Sequence, residues 1–471
     1  QQILVMTYDR IITYGLDGSA TGELINFNDY EAGSHSSLIF QQAEALQPKF
    51  VVMLPPDQLY VYMTAMGTYE IGKIFDYREL TGAERDARLA EREAQLAKKT
   101  KLVWFVSFKD ATTDQIKVQF ERLNPDIHVE VSHFRENYHE YNAHDYLQYV
   151  NLQLMAGKTR WDVMSVTDLP FWIYSRKGYF ANLYQIASNI WNREKDKYFA
   201  NILEAMRVDG KRTVFPTRVW LLINMMDKQL AARLSYDHTW NDLIQLANEV
   251  RTSKSDMKSW NLGTHNTIFD RSYDVVLHVY LNDILDTRDN TKAREQLLGE
   301  FLDTIKTLSN PDDHMQQTGQ TALFTLQTVN SPLYGTLFND KNRTLLPGPA
   351  SPLSSTRSFA MTDGYAINAN SEVKEEALRF ILFIAEQATK NNIILKTSFD
   401  QALEQYGQKE ERREIINQLR SIVESYDRYI PLSHQFPDEI RTTAEQYVNG
   451  IIGKEKAVKT IMEKLWFYEN E

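Results

Sequence analysis

Short runs of β-branched and aromatic residues, separated by turn signals, occupy the first 79 positions, with no helical period. Ile3–Tyr8, Arg10–Tyr14, Glu23–Asn26, Ser37–Gln41, Phe50–Leu54, Leu59–Met63 and Tyr69–Phe75 are predicted as strands, with turns at Asp17-Gly18, Ala32-Gly33 and Pro55-Pro56. The pattern amounts to about two four-stranded sheets, as in propeller blades of ~40–45 residues. Two blades cannot close a ring of ~4–8, so that reading places further blades upstream. A small sandwich, or an edge extension packed on the next domain, fits the pattern equally. Residues 81–99 then turn to Ala, Glu, Arg and Lys with few apolar positions. Thr81 and Glu84 have capping-box spacing, and the stretch predicts a solvated linker helix.

From Lys101 the period alternates between strand and helix. Lys101–Ser107 is an apolar run of strand length, and Thr112–Arg122 has helical spacing stopped by Asn124-Pro125. Ile127–His133 is a strand, Tyr146–Met155 a helix ended by Ala156-Gly157, and Trp161–Val166 a buried strand. That order predicts a parallel sheet with helices on its faces, with ligands bound outside the carboxyl ends of its strands. Those ends are Ser107–Asp110 and Thr167–Pro170. The second half continues with strands at Val219–Met225, Ala322–Thr328 and Gly364–Asn368. Helices are predicted at Trp240–Val250, Ala293–Leu308 and Glu372–Ala388. Leu346–Arg357 is Pro- and Ser-rich without period, and the last ~70 residues read as helical with breaks at Pro431 and Pro437.

The chain's 471 residues suggest about three domains. Its net charge of −11 argues against a nucleic-acid partner, which needs clustered Lys and Arg. The lack of cysteine excludes disulfides, zinc–thiolate sites, iron–sulfur clusters and thiol nucleophiles. No apolar run approaches ~18 residues, so no membrane span is expected. The first ten residues lack the basic start and apolar core of a signal peptide, which fits either a cytoplasmic protein or a processed form. Two lures fail on spacing. Ala156-Gly157-Lys158-Thr159 lacks the earlier P-loop glycine, since Leu152 stands there. His139, Glu140 and His144 set the two histidines five apart rather than four, so a polar, solvated insertion fits better than a zinc site. No G-x-S-x-G occurs.

Seven segments, in order, resemble the extracellular solute-binding proteins of ABC importers, in the family that includes maltose-binding protein. KLVWFVSFKDATTDQIKVQFERLNPDIHVEV resembles the opening strand–helix–strand with its F-x-x-x-N-P-x-I-x-V. LQYVNLQLMAGKTRWDVMSV resembles the next helix and strand, with Trp161 where proline is usual. DLPFWIYSRKGYFANL, RVDGKRTVFPTRVWLLINMMDKQL, HTWNDLIQLANEV, GQTALFTLQ and MTDGYAINANSEVKEEALRFILFIAEQ follow. The match spans about 370 residues. Some large Gram-positive members carry a propeller-like segment ahead of the binding domain, which residues 1–79 resemble.

The resemblance implies an α/β, two-lobed, type II periplasmic-binding-protein-like fold, preceded by a small all-β segment (1–79) and a linker helix (80–100). Lobe one would comprise 101–216 and 329–358, and lobe two 217–328 and 359–471. It implies a monomer that captures a carbohydrate and delivers it to ABC permease subunits. No cofactor, metal, catalysis or nucleic acid is implied. The protein would be extracellular, anchored at the cell surface as a lipoprotein or periplasmic, touching the membrane only through an anchor upstream. A sensor or scaffold using the same lobes, or a carbohydrate-active enzyme, are the alternatives.

Sugar recognition needs planar polar groups for hydroxyl pairs and aromatic faces for the ring. On the family pattern the candidates are Phe108, Lys109 and Asp110 after the first strand, and Thr167 and Asp168 after the third. Asp168 suits ligand contact or a helix N-cap, and Trp172 core or platform. Arg218 and Trp220 fall at the first crossover, Trp220 facing either core or cleft. Trp260, with 264–271, falls where lobe two supplies contacts, and Asn330 and Tyr334 follow the second crossing strand. Tyr365 replaces the second glycine of a Gly-Gly pair after Gly364, and is expected to project into the cleft.

Overall fold

The computed structural model describes residues 3–6, 10–16, 20–26, 46–54, 58–65, 69–76, 82–108, 111–135, 142–157, 159–167, 169–186, 188–253, 272–308, 324–332, 342–387, 392–430 and 435–470. Two compact units result, one of residues 1–100 with 110–128, the other of 101–109 with 129–471.

In the first unit, β1 (Ile3–Met6), β2 (Arg10–Tyr14) and β3 (Ala20–Asn26) form an antiparallel sheet. A second antiparallel sheet contains β4 (Leu46–Leu54), β5 (Gln58–Ala65) and β6 (Tyr69–Asp76). Each has three strands among the described residues, and the strand expected at Ser37–Gln41 lies outside them. The β4–β5 register shifts between Pro48 and Phe50, leaving Lys49 over beside a proline on the edge strand. Helix α1 (Gly82–Leu96) follows, its described side chains exposed except the half-buried Leu96.

Further along come β7 (Thr100–Phe108), α2 (Ala111–Leu123), β8 (Ile127–Arg135), α3 (Ala143–Met155) and β9 (Val163–Ser165). The helix α4 (Phe171–Arg176) leads through short helices to a long strand, β10 (Val214–Asp227). The larger sheet is ordered β11–β10–β13–β9–β7–β8, where β11 is Phe324–Val329 and β13 is Ser358–Ile367; β12 (Arg343–Pro347) also pairs with β10. The sheet is mixed rather than parallel. β7 runs parallel to β9, but β13 is antiparallel to both β9 and β10.

Two cores form in the second unit. Around β7 and β9, Phe105 stacks on Trp161 with centroids 4.0 Å apart, and Trp104 meets Phe380 edge-on at 5.1 Å. Trp161 thus fills, by stacking, the place where the family pattern has proline. Gly157, at φ 61, ends α3 in the left-handed region, a helix stop rather than a phosphate loop. The other core packs α5 (Trp240–Ser253), α6 (Ser272–Asp286) and α7 (Thr291–Leu308) against Leu222 and Met226 of β10, with Ile440, Ala444, Ile461 and Leu465 from the C-terminal helices. Sequence periodicity does not predict α6, because every residue from Val276 to Ile284 is buried, so no polar face marks a period. Its polar members are bonded: His278 Nε2 donates to the Ser358 carbonyl (2.6 Å), and Asn282 Nδ2 to Ser358 Oγ (2.7 Å). Asp283 accepts from Leu353 N (2.8 Å) and Ser354 Oγ (2.7 Å).

The break expected at Pro437 does not occur. Pro437 is the third residue of the helix Gln435–Val448, where its missing N–H has no intrahelical partner to lose. Pro431 lies outside the described residues. Among the described residues no helix is long and apolar enough to cross a membrane.

The Pro- and Ser-rich stretch after β12 is held by its backbone. Gly348 N donates to the Leu222 carbonyl (2.8 Å) and Ala350 N to that of His238 (2.8 Å). A Cβ on Gly348 would lie 2.5 Å from the Leu222 oxygen. Gly348→Ala must therefore part these strands, and is expected to cost about 2 kcal/mol by overpacking, measured by urea unfolding.

Candidate functional site

β10 changes partners midway. Val214–Trp220 pairs with β13, Leu221–Met226 with β11, and Ile223–Asp227 with β12. The β10–β13 ladder is also irregular where the partners change. Pro216 pairs with Gly364, then Arg218 with Asp363, then Val219 with Met361. Thr217 on one strand and Thr362 on the other are thus left over, a bulge on each side of the Arg218–Asp363 pair. Such bulges re-aim side chains and recur beside binding sites. Gly364 leaves room here: a Cβ would push the flexible Met361 Sδ, 2.4 Å away, aside and press on the Phe215 oxygen at 3.3 Å.

Five polar side chains and an indole converge. Thr167 Oγ1, just beyond β9, donates to Asp363 Oδ1 (3.3 Å), and Ser165 Oγ donates to Thr167 Oγ1 (3.2 Å). Trp220 Nε1 donates to Thr362 Oγ1 (3.0 Å), fixing the plane of a half-buried indole. Arg218 is exposed. Burial pushes the Asp363 carboxyl above the usual aspartate range, against the opposing pull of the Arg218 guanidinium and of the Thr217, Thr167 and Tyr365 hydroxyls.

The sign of that shift gives a prediction. Above the unfolded-state pKa the unfolded chain releases this proton while the folded one keeps it. Asp363's contribution to stability is therefore present at low pH and lost as pH rises through its folded pKa. Asp363→Asn, which cannot ionise, is expected to raise the thermal midpoint at pH 7 and leave it nearly unchanged at pH 3.5. Calorimetry at both values checks this.

A buried amide ties the two crossing strands. Asn392 Nδ2 donates to the Thr217 carbonyl and its Oδ1 accepts from Ile394 N (3.1 Å), while Ile393 N donates to the carbonyl of Asn330 (2.9 Å). Asn392→Ala leaves the Thr217 oxygen without this donor, and is expected to lower stability by about 1–2 kcal/mol in urea unfolding.

Among the residues singled out from sequence, Thr167, Arg218, Trp220 and Tyr365 come together on the neighbouring β9, β10 and β13. Tyr365 does not project outward. It is 7% exposed, 6.2 Å from the ring of Trp104, because position 365 shares the inward face of β13 with Ser165 and Phe215 opposite. Asn330 follows Val329, the residue opposite Leu221, and is half-buried near the crossing. Trp172 meets Phe171 edge-on at 5.7 Å on α4, and Phe108 ends β7, half-buried. Lys109, Asp110, Asp168, Trp260, residues 264–271 and Tyr334 lie outside the described residues, as do His139 and Glu140. Sequence reasoning passes over Asp363, Thr362, Thr217 and Asn392. The signal present was Asp363, the one charged residue of β13, which lies just before the strand predicted to start at Gly364. Among the described residues no group of three or more His, Asp or Glu is placed to hold a metal ion.

This α/β fold, with long antiparallel strands crossing between two cores, is the two-lobed, type II periplasmic-binding-protein-like fold. It is the fold of the family 1 extracellular solute-binding proteins. One such protein from Alicyclobacillus acidocaldarius superposes with a TM-score of 0.52 at 14% identity, over 78% of this chain and 97% of its own. A sugar transporter from Rhizobium etli, in an open conformation, superposes with a TM-score of 0.50 at 17% identity, over 78% and 98%. No protein-family model and no curated protein matches the sequence.

Proposed function

We propose that this chain is an extracellular solute-binding protein that captures a carbohydrate and presents it to the permease subunits of an ABC importer. The observation carrying the proposal is the cluster at the β10 crossover: a half-buried indole fixed by Thr362, beside Arg218, Asp363 and Thr167. An indole face suits the apolar side of a sugar ring, and planar charged groups suit its hydroxyl pairs. The Rhizobium etli neighbour is itself described as a sugar transporter. The cluster lies on the strands that cross between the two cores, so closure about those strands would cover a ligand there. No step of this function breaks a covalent bond. The place of action would be the cell surface or the periplasm, with an anchor upstream of Gln1.

Thermal shift and calorimetry across mono- and oligosaccharides, amino acids and peptides test this. A stabilisation that grows with the logarithm of sugar concentration is expected, about 2.7 kcal/mol at 100-fold excess over Kd. Stabilisation by amino acids or peptides alone, or by nothing in the panel, refutes it.

A further inference from the structure

The charge of Arg218 is felt at Asp363, yet its guanidinium is left open to solvent. Arg218 is exposed, and among the described residues its side chain makes no hydrogen bond and no ion pair. This holds although Asp363 stands directly opposite on β13. The carboxylate is served instead by Thr167 Oγ1 at 3.3 Å, with the Thr217 and Tyr365 hydroxyls beside it. Directly opposed strand residues usually find one another when their charges are opposite. Here the bulges at Thr217 and Thr362 interrupt the ladder on both sides of the pair. Other arginines of the same unit are spent on carboxylates, Arg212 on Glu204, Arg357 on Asp237 and Arg428 on Asp286. Burial further favours the neutral form of Asp363, which lowers the negative charge facing Arg218.

We propose that Arg218 is a specificity-determining residue that receives an anionic group of the ligand, so that the favoured carbohydrates carry a carboxylate, sulfate or phosphate. The inference rests on the carbohydrate-binding reading and refines it. A planar fork of N–H donors matches a carboxylate or a phosphate in two parallel hydrogen bonds, which an ordinary sugar hydroxyl cannot supply. Thr362, whose hydroxyl lies 3.5 Å from the Arg218 carbonyl, and the Trp220 indole would flank the same ring.

Isothermal titration of the full chain tests it with matched probes: oligogalacturonate and oligoglucuronate, neutral oligosaccharides of galactose and glucose, a sulfated oligosaccharide, and free phosphate and acetate. At least one acidic oligosaccharide is expected to bind about 10–100-fold tighter than its neutral counterpart. Arg218→Gln should collapse that ratio to near one, and Arg218→Lys should restore part of it. Carboxylated and sulfated probes tell which anion is read, and free phosphate or acetate binding as tightly would show that no sugar is needed. Neutral probes binding as tightly as acidic ones, or an acidic preference that survives Arg218→Gln, overturns the inference while leaving sugar capture intact. Failure of every saccharide removes both.

Discussion

Trp220→Ala is expected to weaken carbohydrate binding by about 30-fold while costing the fold little. A buried aromatic anchor at the centre of a binding surface contributes about 2 kcal/mol or more, and each 1.4 kcal/mol is tenfold. The indole is half-buried, and the bond from its Nε1 to Thr362 Oγ1 at 3.0 Å orients the ring without closing it into the core. Trp104 is the contrast, at 1% exposure between Tyr365 and Phe380. Truncating such a buried tryptophan costs about 3–5 kcal/mol, whereas Trp220→Ala should cost less than half of that. Two further variants separate stacking from orientation. Trp220→Phe keeps a face but loses the bond, and Thr362→Val keeps the face but frees its angle; each is expected to lose about 3–5-fold, well short of the full truncation. Titration with the tightest saccharide, alongside urea unfolding of each variant, reads both quantities. If Trp220→Ala lowers stability by 3 kcal/mol or more and leaves affinity unchanged, Trp220 is a packing residue of the crossover.

How much of this was legible in the sequence follows from what range each feature depends on. β7, α2, β8, α3 and the helix at Thr291–Leu308 are written in local period, so they were predicted to within a few residues. Thr167, Arg218 and Trp220 could be singled out as neighbours in one cluster because strand ends and crossovers are where this resemblance puts contacts. Asp363 and Thr362 could not. Their importance comes from pairing with residues such as Trp220, 142 positions away in the Trp220–Thr362 bond, and a bulge is a property of two strands in register, not of either one. Helix α6 was hidden for a different reason. A helix buried all round has lost the polar face that would reveal its period. The mixed sheet was likewise invisible, since strand direction is set by the connections between strands and not by their composition.

The same buried helix predicts a large response to acid. His278 is fully enclosed, and burial pushes its imidazole down to about 4, in spite of the hydrogen bond to the Ser358 carbonyl. In the unfolded chain a histidine takes up its proton near pH 6.5. Between these values the unfolded state holds a proton that the folded state refuses, so stability is complete above pH 6.5 and drains away as pH falls toward 4. At 1.36 kcal/mol for each pH unit, the loss is about 3 kcal/mol. His238, which burial also pushes down, adds to the loss in the same direction. His278→Gln retains an N–H that can reach the Ser358 carbonyl but cannot be protonated, and should therefore be less stable than the parent at pH 7.5 yet lose less between pH 6.5 and 4. Urea unfolding of both proteins across that window measures the difference in slope. Equal slopes would mean that the proton enters elsewhere. A slope reduced by most of the 3 kcal/mol would place the acid sensitivity of this core on one side chain, anchored to the first residue of β13, the strand that also carries Asp363 to the crossover.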